Sequence, residues 1–180
     1  MAADSHHHHH GHGAYRFCPS CGGALESRRL KANEPERLVC QKCSHIFYLD
    51  PKVVAGTIFT IDGSLALLRR GIEPAMGKWV FPGGYVDRGE RVEDAAVRET
   101  KEESDLDVRL ISLLGVYSYT GKRDVIVVYA AEVVGGVLKP QDESVEARTF
   151  GLPEIPWGEL AFPSTEEALR DYLKLYPSLK

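Results

Sequence analysis

Apolar and polar positions follow two rhythms along this chain. Val53 to Thr60 is rich in β-branched residues, Asp62-Gly63 follows, and Leu65 to Arg69 is again mostly apolar. That pattern predicts a β-hairpin closed by a type I′ turn. Trp79-Val80-Phe81 is a short apolar run that stops at Pro82-Gly83-Gly84. Val108 to Tyr119, Asp124 to Val134 and Glu146 to Leu152 read as further strands. The other rhythm is helical: it predicts a helix over Glu90–Ser104 and a closing helix over Thr165–Tyr176, with Ser164 or Thr165 at its N-cap. No internal repeat is present. A helix inserted among strands points to an α+β body, helices packed on a mixed sheet.

At 180 residues and 43% hydrophobic, the chain can build one ordinary domain with a real core, plus a small appendage. Its net charge of −4 carries no basic excess, so nucleic acid is a poor first partner. No apolar run reaches membrane-spanning length, and a soluble cytoplasmic protein is the expectation. Residues 1–14, MAADSHHHHHGHGA, read as a disordered histidine-rich tail or a purification tag. Asp50-Pro51 is a plausible junction, which divides the rest into 15–49 and 50–180. Six of the seven histidines lie in the tail, so His45 alone remains for the body. Histidine-based nucleophilic catalysis then has one candidate base.

All four cysteines fall in two pairs, Cys18-Pro19-Ser20-Cys21 and Cys40-Gln41-Lys42-Cys43, eighteen residues apart. A CxxC turn lets two thiolates reach one tetrahedral ion, and two such turns complete a closed zinc site. Disulfides or buried free thiols are the alternative. A four-thiolate shell has no open position, so this zinc would be structural and would hold together a segment too small to fold alone. Apolar stretches at 37–39 and 46–48 suit the short strands of a zinc ribbon.

The remaining chemistry gathers on the Glu90–Ser104 helix. Glu99, Glu102 and Glu103 stand at i, i+3 and i+4, on one face. That face begins with Val92, Ala95 and Ala96 and turns acidic in its last turn. Carboxylates on a core-facing stripe are costly unless compensated, and a divalent cation holding a phosphate is the natural compensation. A solvated Glu-rich face is the bland alternative; the glycines just upstream, which let backbone approach a ligand, weigh against it.

Gly84, Glu90, Arg98, Glu99, Thr100, Glu102, Glu103, Asp105 and Leu106 together resemble the signature of the Nudix hydrolases, G-x5-E-x7-R-E-U-x-E-E-x-G-U, where U is bulky and apolar. Two positions depart. Thr100 stands where the pattern has an apolar residue, and Asp105 replaces the glycine that ends the helix. Asp tolerates the left-handed conformation that such a turn demands. With the ribbon ahead of it, the chain resembles the zinc-ribbon branch of the family, whose fold is an α/β/α sandwich. The run Gly71–Tyr85 is similar to FAD and ADP-ribose pyrophosphatases.

The resemblance implies a pyrophosphohydrolase acting on a nucleoside diphosphate linked to X, with Mg2+ or Mn2+. It implies Glu99 and Glu103 as principal metal ligands, Glu102 beside them and the Gly83 carbonyl as a backbone ligand. Arg98 would orient Glu99, and Glu90 would either act through water or only brace the loop. Glu143 matches the first glutamate of a late E-x-x-E pattern and is a candidate ligand or base. Arg69 and Arg70 are candidates for the diphosphate. Tyr119, or Tyr117, Phe47 or Tyr48, is a candidate for stacking on adenine. The substrate expected is FAD or ADP-ribose, with AMP released. NADH is the alternative, because the SQPWPFPxS signature of NADH pyrophosphatases is missing and Leu114–Gly121 stands in its place. An RNA-cap pyrophosphatase, or a module that binds ADP-ribose or nucleic acid without cleaving it, stays open. The ribbon's Arg28, Arg29, Lys31, Arg37 and Lys42 against Glu26, Glu34 and Glu36 make only a modest basic excess. The resemblance also implies a homodimer.

Overall fold

The computed structural model describes residues 15–177; the histidine-rich segment 1–14, expected as a disordered tail, lies outside them. The chain divides into two compact units between Asp50 and Pro51.

The first unit is a zinc ribbon. Strands β1 (Leu25–Arg28), β2 (Arg37–Cys40) and β3 (Ile46–Phe47) form an antiparallel sheet in the order β1-β2-β3. Its small core is Leu38, Val39 and Cys40 of β2 with Cys18. Strand β1 goes beyond the sequence expectation. Leu25-Glu26-Ser27-Arg28 has too little apolar character to announce a strand, and pairing with β2 recruits it.

The second unit is α+β. Strand β4 (Lys52–Ile58) leads to the short β5 (Thr60–Ile61), β6 (Ser64–Arg70), β7 (Trp79–Val80) and β8 (Gly83–Tyr85). Helix α1 (Val92–Ser104) follows, then β9 (Leu106–Ser118), β10 (Asp124–Gly136), β11 (Ser144–Phe150) and helix α2 (Pro163–Leu175). One sheet has the order β8-β4-β10-β9 and is mixed, with β4 and β10 parallel. The second has the order β11-β6-β5, with β7 also paired to β6.

Period-two alternation sorts the two helices to opposite faces of the mixed sheet. Ala55 of β4 packs with Ala95 and Ala96 of α1, joined by Val92 and Tyr129. Ile58 of β4 and Val128 of β10 pack instead with Ala168, Leu169 and Tyr172 of α2. The alanines let α1 sit close enough to the sheet for its last turn to reach β8.

Several expectations need correction. The hairpin turn is as predicted: Asp62 and Gly63 both take positive φ, 52° and 82°. Its long partner is not. Of the expected partner strand, Thr60 and Ile61 pair with β6 and the Phe59 carbonyl accepts the Ala66 N–H, while β4 leaves for the other sheet around the buried Phe59. Backbone pairing of β4 with β10 wins over a local hairpin. Helix α1 starts at Val92, so Glu90 stays in the preceding loop. Helix α2 starts at Pro163 with Phe162 as N-cap and no side-chain cap; Ser164 and Thr165 are buried in its first turn. Proline at N1 fixes the entry, needing no donor there. The last strand ends at Phe150, because Pro153 turns the following residues into a 3-10 turn, Leu152–Glu154.

Candidate active site

In the ribbon, the four thiols are free and their Sγ atoms lie within 4.8 Å of one another. Cys21 Sγ is 3.3 Å from Cys43 Sγ and 3.5 Å from Cys40 Sγ, and Cys18 Sγ is 3.8 Å from Cys43 Sγ. A tetrahedral zinc with bonds of about 2.3 Å separates its sulfurs by roughly 3.8 Å, so the quartet is positioned for one ion. Backbone N–H groups of Lys42 and Cys43 donate to Cys40 Sγ, and that of Ser20 to Cys18 Sγ. The Cys43 N–H bond leads in lowering the Cys40 thiol to about 6. The His45 N–H favours the Cys43 thiolate, yet its sulfur neighbours and burial together push that thiol up to about 12. Four crowded thiols cannot all ionise without a cation between them.

The acidic face of α1 is assembled by β8. Pro82 takes Thr57 N–H on its carbonyl, and Val53 takes Val86 N–H. With Gly84 opposite Ala55 in this register, Gly83 falls at the alternate position, its N–H and C=O directed away from β4. That N–H donates to Glu103 Oε2 at 2.9 Å. Glu103 is only 8% exposed, and burial pushes its carboxyl up to about 7, with the charges of Glu99 and Glu143 adding and the Gly83 N–H opposing. Glu99 is also raised, chiefly by burial. Its carboxylate lies against Gly84 so closely that a Cβ there would collide with it. This is the physical demand for glycine at position 84.

Arg98 organises the rest. Its Nε and Nη2 donate to the two oxygens of Glu90 at 2.8 and 3.0 Å. Its Nη1 donates to Glu99 at 2.7 Å and Glu102 at 2.9 Å, and Nη2 also reaches the Tyr85 carbonyl at 3.1 Å. Glu90 accepts the Asp87 N–H as well, and the Arg98 bonds lead in holding its carboxyl down at about 2. Glu90 therefore braces both the loop and the arginine. Tyr85 and Asp87 take part through their main chain alone, and no sequence pattern marks such contacts.

The two departures from the signature have local answers. Thr100 is fully buried; its Oγ1 is 2.6 Å from Thr57 Oγ1 on β4 and 2.7 Å from the Ala96 carbonyl. Asp105 takes φ 59°, the left-handed helix end that glycine would supply, and pairs with Lys101.

Other candidates fall in different places. Glu143 is exposed, yet its charge acts on both Glu99 and Glu103, and Gln141 N–H ties its loop to the Glu103 carbonyl. Arg69 donates to the Gly77 carbonyl and Glu146 and lies over Trp79. Arg70 donates to the Pro74 carbonyl, lies 5.3 Å from the Phe162 ring, and is close enough for its charge to act on Glu103. Tyr117 and Tyr119 pack with the α2 cluster, Tyr117 donating to Asp171 of α2, on the face away from α1. Phe47 and Tyr48 lie in the ribbon, in ring contact with Tyr15 and under Arg37 respectively.

A loop-helix unit of this form, with glutamates on its inner face and an arginine strapping them, defines a family. The NUDIX domain model matches residues 50–174, and the model described as Nudix N-terminal, a zinc ribbon, matches 16–49. The chain belongs to the Nudix hydrolases and carries their amino-terminal zinc ribbon. It is 40% identical over 132 residues to an ADP-ribose pyrophosphatase of Methanocaldococcus jannaschii, covering 71% of this chain and 76% of that one. It is 30% identical over 165 residues to the NAD-capped RNA hydrolase NudC of Stutzerimonas stutzeri; that match takes in 90% of this chain but 56% of the relative. Among solved structures, a NUDIX hydrolase from Nitrosomonas europaea superposes with a TM-score of 0.85 at 34% identity, over 91% of this chain and 93% of that one. No helix among the described residues is long and apolar enough to cross a membrane.

Proposed function

We propose that this Nudix hydrolase cleaves the pyrophosphate bond of a dinucleotide built on ADP, with ADP-ribose or FAD as substrate and AMP as a product. The observation that carries the reading is the placement of Glu99, Glu102 and Glu103 along one face of the last two turns of α1, with Glu103 buried and the charge of Glu143 added. Anionic phosphate is repelled by such a site unless cations stand between them.

Nudix enzymes use Mg2+ or Mn2+. The oxygen donors here fit those hard ions, and the burial of Glu103 beside Glu99 gives a cation charge to neutralise. Glu99, Glu102, Glu103, Glu143 and the Gly83 carbonyl would hold it. When bound, it supplies Lewis-acid stabilisation of phosphate charge and a more acidic water. Arg98 keeps Glu99 and Glu102 in place, and Glu90 keeps Arg98 in place. Glu143, on an exposed loop, is free to ligate or to accept a proton. Arg70 contributes a cation at the rim for the diphosphate.

ADP-ribose is supported by the named activity of the Methanocaldococcus jannaschii relative. A second reading, cleavage of NADH or of an NAD cap on RNA, is favoured by the NudC similarity, which runs through ribbon and body together. The missing tryptophan-proline signature weighs against it. The test is a product-resolved assay of ADP-ribose, FAD, NADH and NAD-capped RNA with Mg2+, Mn2+ or chelator. Metal-dependent AMP from ADP-ribose or FAD is expected. No hydrolysis of any of them, with binding retained, would replace the reading by that of a non-catalytic binding module.

A further inference from the structure

The loop between β6 and β7 has an unusual division of labour. Its backbone is held tightly: Gly77 N–H donates to the Arg70 carbonyl, Arg70 N–H to Lys78, and Lys78 N–H to Ala75. Both arginines of β6 bind the same loop, Arg69 through the Gly77 carbonyl at 2.9 Å and Arg70 through the Pro74 carbonyl at 2.8 Å. A short loop with this many bonds is a rigid shelf. Yet it exposes apolar side chains to water, Met76 at 57% and Ile72 at 38%. Val145, at 64%, meets the start of the loop, with its Cγ1 packed toward Gly71, the residue before Ile72.

The shelf borders the carboxylate site. Gly71 N–H donates to the Glu143 carbonyl at 2.7 Å. Two residues before Glu143, Gln141 N–H donates to the Glu103 carbonyl at 3.0 Å. The Glu143 segment therefore joins the shelf on one side to the last turn of α1 on the other. Arg70 occupies the same border. Its guanidinium is fixed by Pro74 and Phe162, and among the described residues no hydrogen bond or ion pair takes its Nη groups. A fixed cation next to a preformed apolar shelf, beside an acidic metal-type site, matches one end of a dinucleotide: a phosphate and, across an intervening sugar or polyol, a planar ring.

We propose that Ile72, Met76 and Val145 form the subsite that receives a planar heterocycle of the substrate, with Arg70 positioned for the phosphate on the same half of the dinucleotide. This rests on the dinucleotide reading above. A polarizable thioether and two branched aliphatic side chains suit the face of a heteroaromatic ring. Rigidity adds to their effect, since little conformational entropy is lost on binding. The ring is either adenine, common to all the candidates, or the ring of the X moiety.

The test measures KM and kcat of Met76→Asp and Ile72→Ser for FAD and for ADP-ribose, with Met76→Leu as the conservative control. Both positions are exposed, so these variants should fold. We expect KM to rise about tenfold with kcat within about twofold, the scale of a lost apolar contact at a binding pocket. Met76→Leu should retain the wild-type KM. A rise for both substrates assigns adenine to the shelf; a rise for FAD alone assigns the flavin. Unchanged KM for both, in variants that fold, overturns the shelf while leaving the dinucleotide reading intact. A wild-type enzyme that cleaves neither overturns both.

Discussion

Thr100 Oγ1 on α1 lies 2.6 Å from Thr57 Oγ1 on β4, in a fully buried setting. The family pattern has an apolar residue at position 100, and here a second hydroxyl on the facing strand compensates the change. Thr100 also donates to Ala96, so the Thr57 hydroxyl is the donor to Thr100. Thr100→Val therefore strands Thr57 and should cost about 1–3 kcal/mol. Thr57→Val leaves Thr100 with its Ala96 bond and should cost less. The double Val variant should recover much of the loss. Urea unfolding of all four proteins gives the coupling energy; strict additivity would mean the hydroxyls do not depend on each other.

Gly84→Ala places a methyl group where the Glu99 carboxylate now lies. The helix is anchored by Ala95, Ala96 and Thr100, so the carboxylate must move instead. Turnover should fall by about a hundredfold, since small displacements at a reacting site have that effect. Zinc content and circular dichroism should match wild type. Glu99→Gln should give a similar loss, and near-normal turnover in either variant would remove Glu99 from the site.

Arg98 uses three nitrogens on three carboxylates, a fork that lysine cannot reproduce. Arg98→Lys should lower kcat more than it raises KM, because it loosens Glu99 and Glu102 without touching the shelf. Glu90→Gln should do the same more mildly, as it keeps one acceptor for the guanidinium. Steady-state kinetics for one substrate separate these cases; equal effects on KM alone would argue against positioning.

The Glu103 carboxyl, raised by burial from 4.5 to about 7, ties stability to pH. Between those values the folded, metal-free protein binds more protons than the unfolded chain, so stability falls as pH rises. The contribution is complete below about pH 4.5 and lost through pH 7. Added Mg2+ should stabilise more at pH 8 than at pH 5.5, where it competes with the proton. Thermal melts with and without Mg2+ at both values check this. A Mg2+ increment independent of pH, or Glu103→Gln unchanged in metal-free stability at pH 8, would contradict it.

The ribbon's buried apolar residues are few, so zinc should supply its stability. One zinc per chain is expected by mass spectrometry under native conditions. Cys40→Ser or a strong chelator should unfold residues 15–50, seen as rapid amide exchange there, while the Pro51–Tyr176 unit keeps its protection. A metal-free ribbon that stays folded would overturn this.

Much of this protein was legible in the sequence because the signals were local. CxxC turns, an i, i+3, i+4 glutamate set and an Asp-Gly turn each depend on residues a few positions apart, so their geometry follows from chain stereochemistry. That made the ribbon, the acidic helix and the family resemblance legible, while the departure at Asp105 left the helix end open and the structure closes it with a left-handed turn. The tertiary structure alone decided what depends on distant pairing. It sent β4 to β10 instead of into a hairpin, because a long parallel ladder outweighs a local turn. It met Thr100 with Thr57, forty-three positions away. It brought Glu143 and Arg70 to Glu103, and turned Tyr117 and Tyr119 to the face of α2. Alternation along a strand fixes which residues share a face, but only the packing of sheet, helix and loop determines which face meets the site.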